Sequence, residues 1–174
     1  LVWVVTRLGH AKLEQLAQQE STQNVSNLAR AFAEEVDSTV GTVDVALLAL
    51  RSHWTGNNAD FGRVVSQLNR ELTSKVIFQV AVIDTRGILQ FISSRPVTQR
   101  IDLSDREHVR SLLRDPSDRL VISRPLVGRA TGVLGVHFAR PVFDASGKLA
   151  GVIVATVAPE YFSRFYNNIE LGND

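Results

Sequence analysis

Two arginines four positions apart, Arg106 and Arg110, flank His108 in the stretch SDREHVRSLL (residues 104–113). Guanidinium groups bind carboxylates and phosphates through paired hydrogen bonds, and a neighbouring imidazole adds the possibility of acid–base catalysis. A run of basic side chains can also hold the phosphates of a nucleic acid. These three kinds of site make different demands on the rest of the chain, and those demands can be checked in the sequence.

A catalytic or metal site has little support. The four histidines are spread over different segments, and there is no Gly-x-Ser-x-Gly motif to carry a nucleophilic serine. Cysteine is absent, which excludes disulfides and thiolate metal sites. Ser104 and Glu107 have the spacing of a capping box, so Glu107 is expected to start a helix rather than to act as a catalytic acid. We therefore expect no enzymatic activity in this chain, no metal ligand and no cofactor.

The charge distribution favours a small anion over a nucleic acid. The net charge of the whole chain is only +1, yet residues 84–140 hold ten arginines, no lysine and six acidic residues. Arginine in preference to lysine is typical of two-point recognition of a carboxylate or phosphate, although for any single arginine a solvated surface position is the more common interpretation. Binding of nucleic acid would call for exposed aromatic residues among the basic ones, and this segment contains only Phe91 and Phe138.

The elements that must position these side chains follow from the hydrophobic spacing. From about residue 10 to residue 54 there is no proline, and apolar residues recur every three or four positions, which predicts one long helix. Further helices are predicted over 61–75, over 104–113 and from Pro159 onward. Strands are predicted as a hairpin over 76–94 and then at 119–126, 131–143 and 148–158. The expected fold is α+β, with a long N-terminal helix followed by a five-stranded antiparallel sheet flanked by helices.

Six polar side chains can meet in one cavity if the short helix lies across this sheet. Arg106 lies near the start of the helix, where free backbone N–H groups and the helix dipole favour negative charge. The other candidates come from the same helix and from the segments that follow it: His108, Ser123, Thr131, His137 and Arg140. We expect Arg106 to be the main anion contact and Arg110 to be mostly a surface charge.

The chain also resembles the extracytoplasmic Cache sensor domains, PAS-like in fold, of bacterial transmembrane receptors. The resemblance covers nearly the whole chain. Within the family, the chain is most similar to sensors attached to diguanylate cyclases or histidine kinases. The resemblance rests on VIDTRGILQFIS (82–93), DLSDREHVR (102–110), the run from VISRPLVGRATG to PEYFSRFY (121–166) and the terminal IELGND. It implies a periplasmic, ligand-sensing domain of an inner-membrane receptor, with the long helix carrying the signal. A ligand-free dimerisation or spacer module of such a receptor is the alternative.

The resemblance implies a domain plan as well. Residues 1–54 form the long helix, 55–166 the sensor module, and 167–174 the start of a linker. The apolar LVWVV at residues 1–5 fits either the end of a transmembrane segment or an ordinary helix start. A homodimer through the N-terminal helix, anchored in the membrane, is the expected assembly. Whether a second Cache module follows residue 174 stays open.

The ligand-binding motif of the family is only partly present. Amino-acid-binding members use an Arg-x-Trp-Tyr segment for the ligand carboxylate and an aspartate on the last strand for the ligand amine. Here Arg106 falls on the arginine, but His108 and Val109 replace the tryptophan and tyrosine, and Thr156 stands where the aspartate is expected. The resemblance therefore implies a simple carboxylate, another small anion or no ligand at all, rather than a free amino acid.

Overall fold

The computed structural model describes residues 2–68 and 76–161, except for the side chains of residues 2–22 and 78. Its helices are α1 (Val2–Arg51), α2 (Asn58–Leu68) and α3 (Glu107–Arg114). The predicted closing helix is present as a helical segment at residues 159–161. The remainder of that helix, residues 69–75 of the second predicted helix and the predicted linker at 167–174 lie outside the described residues.

Within the part of the chain that the structure describes, six antiparallel strands form one sheet. They are β1 (Ile77–Asp84), β2 (Leu89–Ile92), β3 (Val121–Ile122), β4 (Leu126–Val127), β5 (Leu134–Phe143) and β6 (Leu149–Val157). The order across the sheet is β2-β1-β6-β5-β3. Strand β4 pairs with the first two residues of β5. The two long strands β5 and β6 therefore occupy the middle, and β1 completes the centre of the sheet.

Two hairpins of the sheet, β1–β2 and β5–β6, turn on the same four-residue pattern, Asp-x-x-Gly. In the β1–β2 turn the Asp84 carboxylate accepts hydrogen bonds from the N–H groups of Arg86 and Ile88, both at 2.9 Å. The Asp144 carboxylate does the same for two N–H groups of the β5–β6 turn. Gly87 and Gly147 close these turns with φ of 83° and 79°, a region that side chains disfavour. The sequence thus fixes two tight turns, and with them the pairing of neighbouring strands.

The sheet has an apolar core on each face. Buried side chains of the last turns of α1, such as Val43 and Leu47, pack with α2 on one face. Val109 and Leu112 of α3 are fully buried on the other. Alternate residues of each strand point to opposite faces, so Phe138 of β5 joins the α1 side and its neighbour Ala139 joins the α3 side.

The chain divides into two compact units, residues 1–38 and residues 39–174. The predicted domain division lies later, between residues 54 and 55. The difference has a physical reason: Thr39, Val43, Leu47 and Leu50 are spaced at helical intervals and are buried against the sheet, so the last turns of α1 belong to the sheet's core.

The predicted α+β class, with a long first helix and an antiparallel sheet, is confirmed, but the sheet has six strands rather than five. The strand predicted at 119–126 is divided into β3 and β4 around Pro125, which has no N–H to donate to the sheet. The pairing with β5 shifts there by one residue, since Ile122 lies opposite Phe138 whereas Leu126 lies opposite Gly135. This shift, with the loop after β4, brings residues 126–131 over the α3 face of the sheet.

Candidate functional site

A cavity lies on the α3 face, between the sheet, the start of α3 and the loop after β4. Its floor comes from three adjacent strands, β1, β6 and β5, and most of it is apolar. The space in which the centre of a water-sized sphere fits is about 40 Å³. One water needs ~10–15 Å³ by this measure, so the cavity suits a few waters or a compact ligand.

Three polar side chains cross the floor in one row. Gln79 of β1 lies opposite Thr156 of β6, and Thr156 lies opposite His137 of β5. Nδ1 of His137 is 3.0 Å from the Thr156 hydroxyl oxygen, within hydrogen-bonding distance in the buried floor. Otherwise the floor holds residues such as Ala81 and Val154. The row therefore makes one polar strip on an apolar surface.

A second histidine lies over this strip. His108, in the first turn of α3, stacks on His137 with ring centroids 5.1 Å apart and ring planes inclined by 16°. Burial, together with the nearby His137 and Arg106, lowers the pKa of His108 to about 3. Burial and Arg106 likewise lower the pKa of His137 to about 4, against a small opposing effect of the Leu126 backbone. Both imidazoles are therefore neutral at pH 7.

Three buried atoms at the cavity lack a hydrogen-bond partner among the described residues: Oε1 of Gln79, Nδ1 of His108 and Nε2 of His137. The side chains that carry them belong to residues only 6, 5 and 7% exposed. A buried polar atom without a partner costs roughly 1–3 kcal/mol. Three of them around one cavity indicate that the cavity is built to hold something that forms hydrogen bonds.

Two arginines of the described residues, Arg106 and Arg129, line the cavity, and among these residues one of the two is engaged by a carboxylate. Arg129 donates two hydrogen bonds to the Asp105 carboxylate, at 2.8 and 2.7 Å. Within the described ranges Arg106 forms no ion pair; its guanidinium donates one long hydrogen bond, 3.3 Å, to the carbonyl of Val127. The half-buried Arg106 guanidinium thus retains donors for an incoming anion.

The predicted capping box is wrong. Helix α3 begins at Glu107 with Arg106 as the N-cap residue, and no side chain caps it. The Asp102 carboxylate instead accepts a hydrogen bond from the N–H of Ser104 at 2.9 Å, which ends the preceding turn before the helix begins. This later start places Arg106 at the mouth of the cavity and His108 inside it.

The structure brings together four of the six predicted site residues: Arg106, His108, Thr131 and His137 all line the cavity. Ser123 does not. Its hydroxyl donates a hydrogen bond to the carbonyl of Arg124 at 2.7 Å and accepts one from the N–H of His137 at 2.9 Å. Ser123 therefore binds the backbone of β5 and does not line the cavity.

Arg140 lies away from the cavity, on the α1 face. It lies three positions after His137 on the same strand, so the two side chains point to opposite faces of the sheet. Its guanidinium forms ion pairs with Asp44 of α1 and with Asp118, the latter at 2.8 Å, and Asp118 also pairs with Arg51 at 2.7 Å. These four residues, the ion-pair network, join α1, β5 and the segment after α3.

Sequence reasoning missed Gln79 as a site residue and gave Thr156 no direct role. A signal for Gln79 was present: it is the one polar side chain in the centre of the apolar strand IFQVAVI. Its alternation with Ala81 and Ile83 places it on the same face as those residues. A buried polar residue inside a strand is more informative about a functional site than an exposed apolar residue is.

Among known families, the HK/GC/chemotaxis protein-like sensor domain matches residues 31–159. The chain belongs to this family of sensor domains. The match takes in most of the second compact unit, including α3 and every strand. The cavity described above is thus the cavity of a sensor domain.

Solved structures resemble this sensor domain across most of its length. The extracellular domain of a protein described as a histidine kinase, rpHK1S-Z16, is 32% identical with a TM-score of 0.72, over 82% of this chain and 59% of that one. The ligand-binding domain of the Pseudomonas aeruginosa amino acid chemoreceptor PctC, in complex with GABA, is 19% identical with a TM-score of 0.64, covering 86% and 66%. The sensor domain of the Vibrio cholerae histidine kinase DctB is 15% identical with a TM-score of 0.66, covering 85% and 60%. The chain therefore spans about two thirds or less of each of these structures.

No curated protein matches the chain significantly. Within residues 2–68 and 76–161, no helix combines the length and hydropathy that crossing a membrane requires. In the same ranges, no cluster of three or more histidine, aspartate or glutamate side chains is arranged to hold a metal ion.

Proposed function

We propose that this sensor domain is the periplasmic input domain of a receptor in a bacterial inner membrane, and that it binds a compact anion in the cavity below α3. The observation that carries the proposal is the state of the cavity's polar groups: Arg106 without a carboxylate partner at the mouth, and three unpartnered buried atoms inside. The extracellular origin of the 32% identical domain supports the location.

Arg106 is the main anion contact in this proposal, with His108, Thr131 and His137 beside it. A guanidinium can meet a carboxylate with two parallel hydrogen bonds, and each charge-assisted bond is worth about 1.5–3 kcal/mol. Among the residues that the structure describes, no acidic side chain lines the cavity, so an ammonium group would find no counter-charge in that lining. The cavity therefore favours an anion without an amine over a free amino acid.

The signal leaves through α1, whose last turns form part of the same core as the sheet. A ligand that binds one arrangement of this core more tightly than another shifts the population between them, and α1 carries the difference. In the full-length protein this helix leads to a membrane anchor and takes part in a homodimer, and the output is a histidine kinase or diguanylate cyclase domain. This transmission through α1 is tested by measuring whether the ligand changes the output activity of the full-length protein in membranes.

The binding test begins with a thermal-shift screen of small carboxylates and inorganic anions, followed by titration calorimetry on variants. Arg106→Ala is expected to weaken binding by roughly 10- to 150-fold, since ~1.4 kcal/mol corresponds to tenfold. Arg106→Lys should recover little, because the planar fork is lost. Arg110→Ala is the matched control: Arg110 lies one turn further along α3, is exposed and does not line the cavity.

Three results contradict the proposal. Binding that survives Arg106→Ala unchanged removes the assigned contact. Equal losses from Arg106→Ala and Arg110→Ala indicate a general electrostatic effect outside the cavity. A screen in which no anion raises the melting temperature favours a ligand-free dimerisation or spacer module instead.

A further inference from the structure

The floor of the cavity differs chemically from its mouth. At the mouth lies a permanent cation, Arg106. At the floor lie Gln79, Thr156 and His137 in one row across three strands, with His108 stacked above His137. None of these floor groups carries a charge at neutral pH, and each can donate or accept a hydrogen bond.

The floor groups are built into the sheet and are not adaptable surface side chains. Gln79, His108 and His137 are each more than nine-tenths buried. The Thr156 hydroxyl oxygen lies 3.0 Å from Nδ1 of His137. Among the described residues the other ring nitrogen, Nε2, has no hydrogen bond of good geometry, although the Leu126 backbone acts on this ring. Apolar residues such as Ala81 and Val154 border the row. A ligand reaching this floor must therefore present a polar atom at one place and apolar surface around it.

We propose that the ligand is a short monocarboxylate that carries one uncharged oxygen, a hydroxyl or an oxo group, on its carbon chain. This inference rests on the proposed function, because it takes the carboxylate to lie at Arg106. A hydroxyl at the floor can donate to Oε1 of Gln79 and accept from a ring N–H of His108 or His137, whereas an oxo oxygen can only accept from the histidines. A floor without a cation disfavours a second carboxylate, and a lining without an acidic residue disfavours an ammonium group.

The size of the cavity sets the length of the ligand. At ~10–15 Å³ for each water, about 40 Å³ corresponds to roughly three or four waters. Bonded atoms lie closer together than neighbouring waters, so the same space takes somewhat more ligand atoms than waters. This size suits short hydroxy- and oxo-acids.

Three compounds that differ at one position test the inference: lactate, propionate and alanine present a hydroxyl, a hydrogen or an ammonium group on the same carbon. Pyruvate, 3-hydroxypropionate and malonate extend the set to an oxo group, a displaced hydroxyl and a second carboxylate. Titration calorimetry on the parent protein is expected to give at least tenfold tighter binding for one of the hydroxy- or oxo-acids than for propionate, alanine and malonate.

The variants Gln79→Leu and His137→Phe locate the groups that recognise the oxygen. Each should lower the affinity for the preferred acid by about tenfold while leaving the affinity for propionate, which lacks the oxygen, within about twofold of the parent. Propionate thus reports whether the variant's cavity is intact. If either variant fails to fold, the ratios measured on the parent alone still decide the ligand class.

The outcomes separate this inference from the proposed function. Propionate or malonate binding as tightly as every hydroxy- and oxo-acid overturns the inference, with waters then satisfying the floor, and leaves the anion site standing. Tightest binding of alanine, or of inorganic phosphate, overturns it too. An oxygen preference that persists in both variants removes the assignment to the floor. Absence of binding by all of these anions overturns both proposals.

Discussion

The buried histidine pair makes the stability of this domain depend on pH in a range where carboxylates contribute little. In the folded protein the pKa of His108 is about 3 and that of His137 about 4, against ~6.5 in an unfolded chain. Between these values the unfolded chain binds more protons than the folded one, so stability rises with pH and is lost as the pH falls below about 6.5. The loss continues until the folded histidines themselves become protonated, near pH 4 and below.

The magnitude follows from the same values. At pH 5.0 each unfolded histidine lies 1.5 units below its pKa, and one unit corresponds to 1.36 kcal/mol, so each histidine contributes a loss of about 2 kcal/mol. Both side chains are almost fully buried, so solvent screening does not reduce this figure much. Lowering the pH from 7.5 to 5.0 is expected to reduce the free energy of unfolding by about 4 kcal/mol. Typical domains have only ~5–15 kcal/mol in total.

The assay is urea denaturation at pH 7.5 and 5.0, followed by circular dichroism, on the parent, His108→Asn, His137→Asn and Val154→Ala. Each asparagine variant should lose about 2 kcal/mol less than the parent on acidification, because one titrating group is gone. Val154 borders the same cavity and does not titrate. Val154→Ala should therefore lower the free energy of unfolding by a similar amount at both pH values. A parent whose stability is the same at pH 7.5 and 5.0, or asparagine variants with the parent's full acid sensitivity, would refute the reasoning.

Two further predictions concern the framework. Replacing Arg140 by Gln should lower the free energy of unfolding by about 1–3 kcal/mol, because the part-buried Asp44 carboxylate loses its ion-pair partner while Asp118 keeps Arg51. Replacing Arg63, whose ion pair with Asp60 is exposed, by Gln should change it by less than about 0.5 kcal/mol. Equal effects of the two substitutions in urea titrations would contradict this. Gly147→Ala should cost about 1 kcal/mol for its positive φ alone, since nothing lies within 4 Å of an added Cβ. Gly87→Ala should lower the free energy of unfolding by ~1–3 kcal/mol more than Gly147→Ala does, because the added Cβ would lie 2.4 Å from the Cβ of Ser104. Similar melting temperatures for the two alanine variants would contradict this and show that the segment at Ser104 moves without cost.

Local signals accounted for much of the fold. The Asp-x-x-Gly turns at residues 84–87 and 144–147 determine their own geometry, so the two hairpins were predictable from a few residues each. The stripe through Val43, Leu47 and Leu50 likewise identified the buried side of α1. These features depend on contacts within a turn or along one helix face, which a sequence displays directly.

The composition of the site was harder to predict, for two different reasons. The start of α3 depends on which acceptor the N–H of Ser104 finds, and Asp102 competes with the capping box for it. The stacking of His108 on His137 depends on where α3 crosses the sheet, which no local pattern encodes. The misplacement of Arg140 was avoidable, because the alternation of a strand already puts it on the face opposite His137.

The two-sided sheet has a consequence for how such domains diversify. Within β5, His137 faces the cavity while Phe138 packs beneath α1, and within β6 the same holds for Thr156 and Ala155. Substitutions at alternate positions therefore alter the chemistry of one face and leave the helix-bearing face chemically unchanged. Sensor domains built on such a sheet can therefore acquire a new ligand specificity through a few alternate strand residues, while the residues that pack beneath α1 stay the same.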